Sequence, residues 1–229
     1  MTLASYRLVA HGLRLHLGER DLLNGVELSV EPGEIVAVTG PSGTGKTSLL
    51  LILAGVLKPD AGSVAYEPAS GGDPPRAGGP LIALVPQTLA LSPRSTASEN
   101  VALPLQVRGV EPAETRERVV AALDSVGLGT ASDRLVTELS GGQRQRVAVA
   151  RALAMRADLI IADEATAELD AENQRLVMGL LEEQAASGVA IVVATHDTLV
   201  AERCSRSYLL EQGRLEPGVL RMEAPATQG

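Results

Sequence analysis

The segment Gly40-Pro-Ser-Gly-Thr-Gly-Lys-Thr47, followed by Ser48, constrains this chain more than any other stretch. It fits the pattern G-x-x-x-x-G-K-[ST], and both of its flanks agree with that pattern. Ahead of it, Ile35-Val-Ala-Val-Thr39 is short, apolar and β-branched and reads as a buried strand; behind it, Ser48-Leu-Leu-Leu-Ile-Leu-Ala54 reads as the start of a buried helix. Strand, glycine-rich turn and helix in that order make a cradle for phosphate groups. The glycines let successive backbone N–H groups turn inward, and the helix N-terminus adds the positive end of its dipole. On this reading Gly40, Pro41, Ser42, Gly43, Thr44, Gly45, Lys46, Thr47 and Ser48 bind a nucleoside triphosphate. Lys46 reaches its β- and γ-phosphates, and the Thr47 hydroxyl is offered to Mg²⁺.

Around this segment the chain divides by pattern. Val26-Glu-Leu-Ser-Val30 alternates and reads as a half-buried strand, and Glu31-Pro-Gly-Glu34 is a turn. Strands ahead of the phosphate loop predict an antiparallel β lobe fused to an α/β core. Pro59-Asp-Ala-Gly62 reads as a turn and Ser63-Val-Ala-Tyr66 as a strand, while the Pro- and Gly-rich residues 68–80 read as a mobile surface loop. Leu81-Ile-Ala-Leu-Val85 resumes the sheet and carries Gln87 at its end. From Thr96 to Val126 the pattern is helical with breaks at Pro104, Gly109 and Pro112, and a further helix runs over 141–154 after Ser140. Leu159-Ile-Ile-Ala-Asp163 and Val189-Ala-Ile-Val-Val-Ala194 are buried strands with a helix over 171–187 between them, and residues 207–215 form a hairpin. The expected organisation is one domain. Residues 1–86 and 155–220 form the β lobe and phosphate-binding core, about 90–150 a helical subdomain, and 217–229 a frayed tail.

Composition narrows the function. Hydrophobic residues make up 45% of the 229, enough for a sizeable core, yet Phe and Trp are absent and Tyr occurs three times. The core must therefore be built from Leu, Val, Ile and Ala. A net charge of −8 argues against a nucleic-acid binder, whose affinity rests on basic surface. The single cysteine, Cys204, excludes an intrachain disulfide and a thiolate metal cluster. No signal peptide or apolar run of about 18 residues is present, so a soluble domain is expected whose membrane role, if any, comes through a partner.

Three further stretches carry chemistry. Ligands of open α/β sheets sit at the carboxyl ends of the strands, where Asp163-Glu164 and His196 fall. Asp163 is the natural partner of the Mg²⁺, and Glu164 can polarise the water that attacks the γ-phosphate. His196 can hydrogen-bond that phosphate or fix the water. Gln87 has the chemistry to touch Mg²⁺ or the water, and its own setting does not choose between them. His11 and His16 have no comparable setting and read as surface or packing residues. Leu139-Ser-Gly-Gly-Gln143 opens a helix with two glycines and a serine, a second anion-binding N-terminus. One γ-phosphate does not need two such loops from one chain, so two subunits sharing each nucleotide is the economical reading.

With these motifs in order, the chain resembles the nucleotide-binding domains of ABC transporters over about residues 5–215. Gly40–Thr47 matches the phosphate loop, Gln87 the Q-loop, Leu139–Gln143 the signature, Leu159–Glu164 the Walker B strand with its glutamate, Glu168-Leu-Asp170 the D-loop, and His196 the switch histidine. The resemblance implies a RecA-like mixed sheet flanked by helices, ATP and Mg²⁺ as ligands, and a head-to-tail dimer with a second copy around two ATP molecules. It implies that Ser140, Gly141, Gly142 and Gln143 meet the partner's ATP, with Ser140 and Gly142 on its γ-phosphate, and that Asp170 links the two sites. It also implies a membrane permease docked near the Q-loop and helical subdomain, and a place on the cytoplasmic face of the membrane. Ala162 before Asp163, and Glu99–Gly109, resemble the branch that includes lipoprotein-release, macrolide-export and cell-division ATPases, working as extruders or mechanical transmitters.

The departures are informative. Where the family places an aromatic ring on adenine, this chain has Leu15-His-Leu-Gly-Glu-Arg20, with Leu17 in the ring's place and no π-face to offer. Ala165 replaces a usual proline, and Glu168 stands where a small or amide side chain is common, which bears on dimer contacts. The main alternative is a soluble ABC ATPase acting on DNA or ribosomes. Such proteins carry coiled coils, zinc modules or two domains per chain, and the interval between Lys46 and Ser140 is too short for an insertion of that kind. A P-loop kinase or GTPase would leave Leu139–Gln143 unexplained, and a purely regulatory module would not need Glu164 and His196.

Overall fold

The structure, a computed structural model, describes residues 5–18, 20–69 and 79–218. Two sheets organise them. The smaller is antiparallel, in the order β2-β1-β4, from β1 (Tyr6–Leu17), β2 (Arg20–Val30) and β4 (Ala61–Pro68). The larger runs β5-β6-β7-β3-β8-β9, from β5 (Ile82–Val85), β6 (Leu159–Asp163), β7 (Ala190–Ala194), β3 (Ile35–Thr39), β8 (Arg206–Glu211) and β9 (Arg214–Pro217). Its first five strands are parallel, and only β9 is antiparallel to its neighbour. This is the P-loop fold with a mixed sheet flanked by helices, an N-terminal β lobe and a helical subdomain.

The continuous apolar runs of β3, β6 and β7 are explained by burial on both faces. Successive side chains point to opposite sides. Ile35, Ala37, Ile160, Ala162, Ile191 and Val193 join a core shared with the helices α2 (Ala97–Val107), α3 (Pro112–Ser125), α4 (Gly141–Ala154) and α5 (Ala171–Ala186). Val36, Val38, Leu159, Ile161, Val192 and Ala194 face a second core with α1 (Lys46–Leu53) and the β lobe. The lack of large rings is met by small residues: Ala148, Ala150, Ala152 and Ala154 let α4 lie close to its neighbours. Tyr66, one of the three tyrosines, pins the end of α1 by donating to the Leu53 carbonyl at 2.8 Å.

Two local expectations are corrected. Pro104 does not break the helical stretch; it lies inside α2, an 11-residue helix. Its ring removes one N–H from the ladder, at a cost of about 3 kcal/mol. Ala97, Val101 and Leu105 of the same helix are fully buried, and that packing outweighs the loss. Gly109 and Pro112 do act as punctuation, the first at a φ of 71° after α2 and the second as the first residue of α3. The turn expected at Pro59–Gly62 is shorter, because β4 already begins at Ala61. Gly62 belongs to that strand, where a Cβ would stand 2.5 Å from the His11 and Gly12 carbonyl oxygens. Pro217 ends β9 and Gly218 N–H donates to Ser207 O at 2.8 Å, so the tail is ordered to that point. The rest of the expected tail, 219–229, and residues 70–78 of the expected loop lie outside the described residues.

The helical subdomain is tied to the loop ahead of it by one buried amide. Asn100 accepts from Ser92 N–H at 2.7 Å and donates to the carbonyls of Ser92 and Thr96 at 3.2 and 2.8 Å. Replacing Asn100 by Ala strands those groups and is expected to cost about 2 kcal/mol. The change would appear as a lower denaturation midpoint at unchanged slope; an unchanged midpoint would show that the loop is held by other contacts.

Candidate functional site

Because β3, β5, β6 and β7 are parallel, their carboxyl ends reach the same edge of the sheet, and the predicted chemistry collects there. The loop after β3 is shaped by backbone contact. Gly40 has a φ of 142°, and a Cβ there would lie 2.5 Å from the Leu210 carbonyl oxygen. Gly45 caps α1 in a left-handed conformation, with a φ of 105°. No side chain caps that helix end and no acid lies in its first turn, so its N–H groups are open to an anion. Thr44 Oγ1 donates to Pro41 O at 2.9 Å and closes the loop on itself. Lys46 is buried, its ammonium donating to the carbonyls of Gly40 at 2.7 Å and Pro41 at 3.1 Å.

β6 is separated from β3 by β7, yet its last residue touches the start of α1. Thr47 Oγ1 donates to Asp163 Oδ2 at 2.6 Å. Asp163 is 3% exposed. Burial, above all, pushes its carboxyl up from the ordinary value; the neighbouring Glu164 adds to the rise, while the Thr47 bond and Lys46 oppose it. The next residue, Glu164, has a φ of 53°, a left-handed conformation costly for a side-chain-bearing residue. Three contacts impose it. Its N–H donates to Ala194 O at 2.9 Å, its carbonyl accepts from Gln145 Nε2 at 2.8 Å, and its carboxylate meets His196 Nδ1 at 2.9 Å. An ionised carboxylate can only accept, so Nδ1 carries the proton in that bond.

A cavity of about 430 Å³ brings the nucleotide candidates together: Ser42, Gly43, Gly45, Lys46, Thr47 and Ser48 line one wall, Gln87, Asp163 and Glu164 another. Leu17, 69% exposed, stands at its far end. His196 is joined to the site through Glu164. The oxygen donors Thr47, Asp163 and Gln87 at this cavity suit a hard divalent cation such as Mg²⁺.

The second set lies elsewhere. Ser140, Gly141, Gly142 and Gln143 are not part of that cavity wall, and neither is Asp170. Ser140 and Gln143 form a reciprocal cap on α4: Gln143 N–H donates to Ser140 Oγ at 3.2 Å, and Ser140 N–H to Gln143 Oε1 at 2.9 Å. Accepting that bond leaves the Ser140 hydroxyl proton free to donate. Asp170 caps α5 by accepting from Asn173 N–H at 2.8 Å, and the Asn173 bonds hold its carboxyl below the usual value.

Some of the site was not anticipated from the sequence. Arg20 and Leu22 line the cavity beside Leu17; their place two strand positions apart after the β1–β2 turn was the available signal. Gln145, which fixes the Glu164 carbonyl, is 3% exposed on the face of α4 that also buries Ala148 and Val149. A polar residue on a buried helical face was its signal.

A model of the ABC transporter family matches residues 23–167. The lipoprotein-releasing system ATP-binding protein LolD of Alcanivorax borkumensis is 40% identical over 203 residues, 86% of this chain and 89% of that protein. LolD of Saccharophagus degradans is 38% identical over 85% of this chain and 88% of its own length. The methionine import ATP-binding protein MetN of Brucella abortus is 37% identical over 93% of this chain and 58% of its own. Among solved structures, a dimeric post-hydrolysis state of the ATP-binding cassette MJ0796 bound to ADP and Pi superposes with a TM-score of 0.82 at 32% identity. It covers 93% of this chain and 99% of that one.

The raised Asp163 carboxyl generates a test. A raised acid favours folding while protonated; that contribution is complete below the ordinary carboxylate value and is lost as pH rises through the raised one. Asp163→Asn keeps an acceptor for Thr47 and removes the buried charge. Its melting temperature in metal-free buffer should equal or exceed that of the parent at about pH 7, with a flatter profile from about pH 4 upward. A variant clearly less stable than the parent at pH 7 would show that the ionised carboxylate stabilises the fold.

Proposed function

The chain belongs to the ABC transporter family as an ATP-binding subunit, and on that premise we propose that it hydrolyses ATP to drive a membrane permease in export or mechanotransmission. The family uses ATP and Mg²⁺, and its solved relatives include dimers. The observation that carries the reading is the separation of two phosphate-binding loops on one chain. Only the loop at 40–48 opens into the cavity with Asp163 and Glu164, so the loop at 140–143 serves a site on another copy.

In this reading the N–H groups of Gly40–Ser48 hold the phosphates, and Lys46 exchanges its two carbonyl acceptors for β- and γ-phosphate oxygens. Thr47, Asp163 and Gln87 would hold Mg²⁺, which supplies charge neutralisation on the phosphates. Glu164 takes the proton of the attacking water, and His196 keeps the carboxylate aimed through its Nδ1–H. Ser140 and Gly142 of the second copy close over the γ-phosphate, so that nucleotide state is read as dimer closure.

The permease would engage a groove of about 570 Å³ beside the Gln87 turn, between β5 and α2. Leu103 and Val107 stand 51% and 80% exposed there. Arg151 holds the turn in place by donating to the carbonyls of Leu89 and Ala90, both at 2.7 Å. Among the described residues no helix is long and apolar enough to cross a membrane. In this reading the groove would hold the subunit to its permease on the cytoplasmic face. The features at Glu99–Gly109 and Ala162 favour the lipoprotein-release and macrolide-export branch over an importer. Co-purification of a membrane protein supports this function; a stable complex with DNA or ribosomes and no membrane partner would replace it with a soluble ATPase role.

Glu164→Gln should retain ATP binding, lower steady-state turnover by about a hundredfold or more, and accumulate an ATP-dependent dimer on size exclusion. Undiminished turnover would remove Glu164 from the chemical step. Leu17→Tyr tests the base end of the site: adding a stacking face should tighten ATP about tenfold, read by fluorescence titration. An unchanged dissociation constant would mean that the base is held elsewhere on the cavity wall, where Arg20 also stands.

A further inference from the structure

Gly141 and Gly142 need an explanation that their own backbone does not give. Neither has a left-handed φ; both sit in the first turn of α4, where any residue is tolerated conformationally. What lies against them supplies that explanation. A Cβ on Gly141 would overlap Oε2 of Glu168, and one on Gly142 would come within 3.2 Å of the Glu168 carbonyl oxygen and 3.4 Å of Leu169 Cδ2. The segment carrying Glu168 is a tight turn, with Ala167 N–H donating to Glu164 O and Leu169 N–H to Thr166 O, both at 3.1 Å. Asp170 then anchors it as the cap of α5. The turn delivers a carboxylate onto the glycine pair.

That position is electrostatically particular. The first-turn N–H groups of α4 lack intrahelical partners, and the helix dipole makes this end positive. Arg144 adds to the field. One of its nitrogens, Nη1, is tied to Leu139 O at 2.7 Å, and the other, Nη2, is 3.8 Å from the Cβ position of Gly141 that Oε2 overlaps. Among the described residues the Glu168 carboxylate makes no hydrogen bond and no ion pair; it lies against Gly141, exposed and free to leave.

We propose that Glu168 is a built-in competitor for the γ-phosphate: its carboxylate occupies the loop that receives the second copy's ATP and must be displaced for the dimer to close. This rests on the function proposed above, in which the loop at 140–143 takes the partner's phosphate. Glu168 thereby sets the ATP level at which closure occurs and favours reopening once the γ-phosphate has left. It does not touch the chain's own nucleotide cavity, whose lining excludes it, so it acts on closure and not on the first binding step.

The experiment uses the full chain in the Glu164→Gln background, which separates closure from turnover. Monomer–dimer equilibrium is followed by analytical ultracentrifugation against ATP with Mg²⁺. Adding Glu168→Gln, which keeps size and removes charge, should lower the ATP concentration for half-dimerisation about fivefold. The ATP affinity of dilute monomer should stay constant. The gain should shrink when salt is raised from about 0.05 to 0.5 M, because an exposed charge is screened over that range; a merely steric effect would not respond. Glu168→Asp, a shorter acid, should fall between parent and Gln. Equal or weaker dimerisation of the Gln variant overturns the inference. If the Glu164→Gln chain with its natural Glu168 fails to dimerise with ATP at any concentration, the shared-site function itself falls, and this inference with it.

Discussion

The hydrogen bond from Thr47 to Asp163 spans 116 positions of sequence and joins the two halves of the chemistry. It can form only because β6, β7 and β3 run parallel in register, with Asp163 opposite Ala194 and Val38 opposite the same residue from the other side. A shift of one residue in either pairing would turn Asp163 towards the opposite face and leave the start of α1 without its acid. The unbroken apolar runs of these strands, buried against two cores, are what hold that register. The same burial raises the Asp163 carboxyl, so the fold carries a carboxylate whose charge is unfavourable until a cation or phosphate-bound metal balances it.

Immediately beyond that acid the chain spends conformational energy on Glu164. The left-handed glutamate is held from two sides: by the Ala194 carbonyl at the end of β7 with His196 two residues beyond it, and by Gln145 on α4. Gln145 matters most for coupling, since it belongs to α4, the helix whose first turn is Ser140–Gln143. That helix meets the Glu164 carbonyl through one part-buried 2.8 Å bond. Glu164 and the loop at 140–143 are therefore joined within one chain, although they would serve different nucleotides in the proposed dimer.

Much of this was legible in the sequence, for definite reasons. Gly40–Thr47 could be read because a phosphate cradle imposes residue types at fixed spacing. The buried strands could be read because two-sided burial leaves them without polar positions. Pro104 reads as a break when its local penalty is weighed without the packing of Val101 and Leu105 that overrides it. Gln145 and Arg20 escape a sequence reading because their significance lies in what they meet across the fold, at Glu164 and beside Leu17, and no local pattern encodes such meetings. Glu168 is intermediate: its oddity was visible as a charge in an unusual place, but its seat on Gly141 was not.

In the proposed function, these features would place the energetic control of the protein at the ends of its nucleotide and not at its centre. The phosphate loop is fully furnished: Lys46 is already satisfied by Gly40 and Pro41, and its capture of phosphate is an exchange of acceptors, which limits the net gain on binding. At the proposed base end, the exposed Leu17 offers area without a ring face, which would weaken the hold on the free monomer. At the γ-phosphate end, Glu168 lies against Gly141, where in the proposed dimer it would oppose the second copy. Each term lowers the affinity of an isolated subunit or of an unassisted pair. A pair held together by a permease in the groove at Leu103 and Val107 already has its two copies at high effective concentration, and it can close where free subunits do not. In the proposed function, weak ends on a strong centre would thus tie ATP consumption to assembly with the membrane partner.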